Sequence, residues 1–159
     1  MTPVTHHAAK LALCAEAETL LCCTRLHLDE ATVVRLKSAV DDESFDWPYL
    51  IRLAKRHALL PLLYKNLAAH CPSSIPKSFL DGMQSYFRQH SARNLLLTEE
   101  LCRILKLFAA QNIKAVPYKG PLLSSELYGN IFLRRFTDLD ILIDRSDVNE
   151  AKEILLAQG

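Results

Sequence analysis

The stretch RRFTDLDILID, residues 134–144, sets two aspartates two residues apart in a run that otherwise reads as a buried β-strand. Residues i and i+2 of a strand share a face, so Asp138 and Asp140 place two carboxylates side by side. Like charges that close raise each other's pKa unless a cation shares them. A hard divalent ion suits the pair, because Mg²⁺ takes one or two carboxylates together with phosphate oxygens and water. Two such ions about 4 Å apart clamp the attacking and leaving oxygens of a phosphoryl-type displacement.

Upstream, Lys119-Gly120 forms a corner between a strand and a helix. Glycine there lets backbone N–H groups approach a phosphate, and the helix N-terminus adds its positive end. Lys119 and Arg134 supply charge for a triphosphate, the arginine being able to fork onto two oxygens. Taken singly, each residue has a plainer reading. The aspartates suit a strand-entry cap and an exposed edge, Lys119 a solvated turn, Arg135 the surface, Thr137 a strand entry and Tyr128 packing. The order of the group along strand, corner, helix and strand is what points to phosphate chemistry.

Those residues need elements to hold them. A helix is expected over 8–24, with Leu11, Leu13, Leu20 and Leu21 toward a core, and a second over 30–40 capped by Asp29. Asp46 and Pro48 start a third, and Pro61 breaks or kinks the pattern before a fourth that ends near His70. CPSSIP reads as a linker. From about 77 to 111 the apolar residues Leu80, Met83, Phe87, Leu97, Leu101, Ile104, Leu105 and Phe108 recur at helical spacing. Such a helix runs roughly 50 Å, longer than a small domain is wide, so it should serve two packing units. Gly82 is a candidate bend. Strands are expected at 113–116 and 138–143, in a parallel or mixed sheet. A short helix around Pro121 lies between them, and a last helix over 146–158 has Ser146 as its cap. The fold class is α+β and mostly helical. We divide the chain into a helical region (1–75), a long connecting helix (76–111) and an incomplete α/β core (112–159).

The segment VPYKGPLLSSELYGNIFLRRFTDLDILID, with RNLLLTEELCRILKLFAAQNI and DWPYLIRLAKRHALLPLLYKNL before it, resembles a nucleotidyltransferase family of the DNA polymerase β superfamily. In that family a helical N-terminal region precedes a K-G corner and an R-x-x-x-D-x-D strand. The resemblance covers roughly residues 30–159 and rests on separate segments matching in order. It implies Lys119 and Gly120 at the nucleotide phosphates, Arg134 as a phosphate contact, and Asp138 and Asp140 as catalytic ligands of Mg²⁺ (or Mn²⁺). It implies an NTP and a hydroxyl-bearing acceptor as partners. The wider superfamily has a Gly-Ser or Gly-Gly corner where this chain has Lys119-Gly120. The superfamily also takes a third carboxylate, often the base, from a later strand. Asp144 shares parity with Asp138 but lies about 20 Å along an extended strand. The expectation is that transfer requires chain beyond residue 159, and that residues 1–159 bind nucleotide weakly. A reading of another class stays beside it: a helical interaction or regulatory module with an incomplete nucleotide-binding half.

Bulk properties exclude little and agree with this. Of 159 residues, 50% are hydrophobic and 23% charged, which is a globular composition. A net charge of +1 gives no global case for nucleic acid or membrane. The basic residues Arg52, Lys55, Arg56 and Lys65 read as a solvated face, with a nucleic-acid footprint as the sharper alternative. The five cysteines form no C-x-x-C pair and suit a reducing cytoplasm. The histidines show no zinc spacing. No apolar stretch reaches the ~18 residues of a membrane span. Self-association is expected through the 138–143 edge or the apolar side of the long helix.

Overall fold

The computed structural model describes residues 13–158. Its elements are α1 (Ala15–Cys22), α2 (Glu30–Val40), α3 (Trp47–Arg56), α4 (Leu60–His70), α5 (Lys77–Ala110), β1 (Ala115–Tyr118), α6 (Gly120–Tyr128), β2 (Asp140–Ile143) and α7 (Val148–Leu156). The fold is α+β and mostly helical, and among the described residues no strand precedes β1. No described helix is long and apolar enough to cross a membrane.

Local chemistry sets the helix ends. The Asp29 carboxylate accepts from the Thr32 N–H at 2.7 Å and starts α2. The Asp46 carboxylate does the same for Tyr49 at 2.7 Å, with Pro48 in the first turn of α3. α3 stops before Pro61 is reached. Ala58 takes the left-handed conformation (φ 57°), while the Leu59 N–H reaches back to the Ala54 carbonyl at 2.8 Å and that of Ala58 to Lys55 at 3.2 Å. This closing pattern usually employs glycine. α5 ends the same way on Asn112 (φ 58°), with the Ile113 N–H on the Phe108 carbonyl at 2.9 Å.

Two apolar clusters form. The first packs Leu20, Leu36, Trp47, Leu50, Leu60, Leu63 and Leu67 from the front helices against Met83 of α5. Phe108 and Ile113 lie in the second, with Ala151 of α7 and the inner sheet residues Ala115, Ile141 and Ile143. The 34-residue α5 therefore enters both clusters, as its periodicity leads one to expect.

Several expectations are corrected. The sheet is antiparallel, pairing Ala115 with Ile143 and Tyr118 with Asp140. After α6, residues 129–139 run irregularly and turn the chain back, where a tight right-handed crossover would have made the strands parallel. Both strands begin two residues later than their patterns suggested. The last helix is led in by a 3₁₀ turn, Arg145–Asp147, whose start is capped by Asp144 accepting from the Ser146 N–H at 2.9 Å. Ser146 is thus the capped residue and not the cap. Leu20 is buried, but Leu13 and Leu21 are exposed; Leu11 lies outside the described residues. Lys65 leaves the basic face, because its ammonium donates to the Leu26 carbonyl at 2.6 Å.

Candidate functional site

Lys119 closes β1 with φ 60° and ψ −139°, a region that residues with a Cβ rarely occupy. Gly120 follows with φ 48° and opens α6. Consecutive positive φ values fold the backbone sharply, and the first-turn N–H groups of α6 have no acceptor within the helix. Pro121, buried in that turn, supplies none. A Cβ on Gly120 would lie 3.6 Å from the Asp138 carbonyl, so it is the dihedral angle, more than space, that calls for glycine.

The antiparallel register then places the carboxylates. Tyr118 pairs with Asp140, which sets Asp140 beside the residue that leads into Lys119. Asp138 sits in the bend just before β2 and is exposed; Asp140 is the first residue of the strand. Lys119 Nζ rests 5.0 Å from the centre of the Tyr118 ring, a cation–π contact at an exposed site.

Arg134 comes from the irregular segment before β2. Its backbone carbonyl accepts from Asn94 Nδ2 on α5 at 3.0 Å. Its Nη1 is buried without a hydrogen-bond partner. A buried charged donor left unmet is costly.

Lys119, Gly120, Arg134, Asp138 and Asp140 together line one open cavity of about 510 Å³, joined by Ala58 from the α3–α4 corner and by Arg135 and Thr137. Among the described residues the single ion pair is Glu100–Arg103, at 2.7 Å on α5. The cavity's cations and carboxylates therefore do not neutralise one another through direct pairs. The same cavity wall brings the residue Arg134 and two oxygen-donor side chains, Asp138 and Asp140, to one space. That donor set fits Mg²⁺ or Mn²⁺ shared with phosphate oxygens. Among the described residues no group of three or more His, Cys, Asp or Glu side chains forms a closed metal cage.

A family model described as an uncharacterised nucleotidyltransferase matches residues 43–159. The chain belongs to that nucleotidyltransferase family. No curated protein and no solved structure matches it. The nucleotidyltransferase match takes in α3 to α7 and every residue lining the cavity, while α1 and α2 precede it.

Sequence reasoning missed Ala58, which reaches the cavity because its left-handed turn closes α3; an alanine carries no sign of that conformation. It also missed two polar residues of α5. Asn94, fully buried, donates both to Arg134 and to the Ile131 carbonyl at 2.6 Å. His90, four residues earlier, meets the Phe132 carbonyl through Nε2 at 3.1 Å and stacks on Tyr86 with ring centres 6.1 Å apart. Burial lowers the His90 pKa, the Phe132 carbonyl opposes that, and Arg135 and Arg93 add to the lowering. The available signal was the i, i+4 spacing of two polar residues on an otherwise apolar helix face.

Proposed function

We propose that this cavity is the nucleotide site of a nucleotidyltransferase that moves a nucleoside monophosphate from an NTP to an acceptor hydroxyl. The single observation carrying the reading is that one cavity gathers Lys119, Gly120, Arg134, Asp138 and Asp140. Lys119 and the Gly120 corner take the outer phosphates, and the Arg134 guanidinium takes a phosphate oxygen. Asp138 and Asp140 would hold Mg²⁺ or Mn²⁺, which when bound supplies positive charge to the phosphate oxygens. The acceptor hydroxyl gives up its proton to solvent as its oxygen bonds to the α-phosphorus, the bond from that phosphorus to the bridging oxygen breaks, and pyrophosphate leaves with that electron pair. The side chains of the cavity orient the triphosphate for in-line attack, a positional contribution that dominates phosphoryl transfer.

Asp138 and Asp140 are the only carboxylates lining the cavity among the described residues, which favours a second reading, nucleotide binding without turnover. One experiment separates the two. NTP binding is measured by calorimetry with and without Mg²⁺, beside transfer from an α-labelled NTP, for wild type and Asp138→Asn. Mg²⁺-dependent binding and transfer, both lost in the variant, support the enzyme. Binding without transfer supports the second reading. Binding and transfer indifferent to Asp138→Asn would overturn both.

A further inference from the structure

Asn94 gives both hydrogens of its amide to the segment that carries Arg134, one to Ile131 and one to Arg134 itself. His90 adds a third tie between them, at Phe132. A carbonyl can only accept, so His90 Nε2 carries the hydrogen in that bond. Asn94 Oδ1 meanwhile is buried without a partner, and leaving an acceptor unmet costs stability. The side chain spends its donors on the loop and leaves its own acceptor unmet. Loops expose their backbone to water by default; here three carbonyls of one, those of Ile131, Phe132 and Arg134, are tied to α5, and the last belongs to a residue that lines the cavity.

We propose that Asn94, assisted by His90, is the positioning residue that aims Arg134 at the nucleotide. This rests on the reading of Arg134 as a triphosphate contact. Asn94 touches no lining side chain of the cavity by hydrogen bond and acts through the Arg134 backbone. A comparison is built into the fold. Asn66 is equally buried and likewise donates to two carbonyls, Cys23 at 2.9 Å and Arg25 at 3.0 Å. It ties the α1–α2 loop to α4, and it does not line the cavity. A purely structural asparagine behaves as Asn66 does; a positioning one is coupled to Arg134.

The test is a double-mutant cycle on residues 1–159, reading Mg²⁺-ATP affinity by calorimetry and folding by circular dichroism. Asn94→Ala should weaken affinity about tenfold in the wild-type background, as loss of hydrogen bonds behind a charged contact implies. In the Arg134→Ala background the same change should matter less than about twofold, since there is no guanidinium left to aim. Asn66→Ala should lower the melting temperature and leave affinity unchanged. Equal effects of Asn94→Ala in both backgrounds, or none in wild type, would overturn the positioning role while leaving Arg134 as a phosphate contact. Arg134→Ala binding as tightly as wild type would instead refute that contact, and the positioning role with it. Should Asn94→Ala fail to fold, His90→Phe keeps the stacked shape and removes one donor. It should weaken affinity about threefold, again only when Arg134 is present; additivity there counts against the proposal in the same way.

Discussion

Lys119 holds a backbone conformation that suits glycine better than lysine, and it does so at the mouth of the cavity. A non-glycine residue in such a region costs of order 1–3 kcal/mol and persists where function uses the side chain. Lys119→Gly should therefore stabilise the fold by about 1 kcal/mol, the relief of strain offset in part by the added freedom of the unfolded chain. It should also weaken Mg²⁺-ATP binding by about tenfold or more, since a charged hydrogen bond is lost. Thermal denaturation and calorimetry on the one variant check both halves. A variant that is less stable and still binds would contradict this account of the corner. The gathering of these residues round one cavity was legible in the sequence because charge type and spacing are written in side chains. Lys119, Gly120, Arg134, Asp138 and Asp140 could all be named from it. Ala58 and Asn94 could not, because they act through a backbone dihedral and through main-chain acceptors, which any residue type supplies.

Elements meet through a few buried polar ties, and Glu16 is one that connects α1 to the start of α3. Its Oε1 accepts from the Asp46 N–H at 2.9 Å, and the residue as a whole is buried. That backbone N–H, then bonds within its own turn, lower the Glu16 pKa, with burial opposing them. A carboxylate depressed in the folded state contributes stability above its unfolded pKa and loses it as pH falls through the folded one. Wild type should thus lose stability below about pH 4.5, and Glu16→Gln should lose less over that range while melting a few degrees lower at pH 7. Urea midpoints measured from pH 7 to pH 3 would show it; parallel curves would assign the acid sensitivity elsewhere. At this scale the sequence was readable where a cap or a period is local. Asp29, Asp46 and the long apolar stripe of α5 are of that kind. Strand direction was not, because the return path through residues 129–139 has neither period nor cap. The hydrophobic alternation of β1 and β2 is the same for either pairing.

The leucines of the first cluster set the stability of the front half. Leu63 is wholly buried between α4 and its neighbours. Leu63→Ala should cost about 2–5 kcal/mol, read as a fall in the denaturant midpoint of the fluorescence of Trp47, the chain's one tryptophan. The second cluster is small, and a sheet of two strands has little independent stability. It is fastened to the first through α5, which lends Met83 to one and Phe108 to the other.

Because they share that helix, the two halves should melt as a unit. Opening either half strips packing from the helix on which the other half rests. Trp47 fluorescence in front and amide exchange across β1 and β2 behind should therefore report a single cooperative transition. Leu96, exposed on α5 between the two grips, is the place to cut the coupling. Leu96→Pro removes a helical hydrogen bond and clashes with the preceding turn, at about 3 kcal/mol. The strands should then exchange well before the tryptophan moves. The cell would meet such a variant as a folded front carrying an open, protease-sensitive rear. In the intact chain one rod of backbone should keep the cavity from being lost piecemeal.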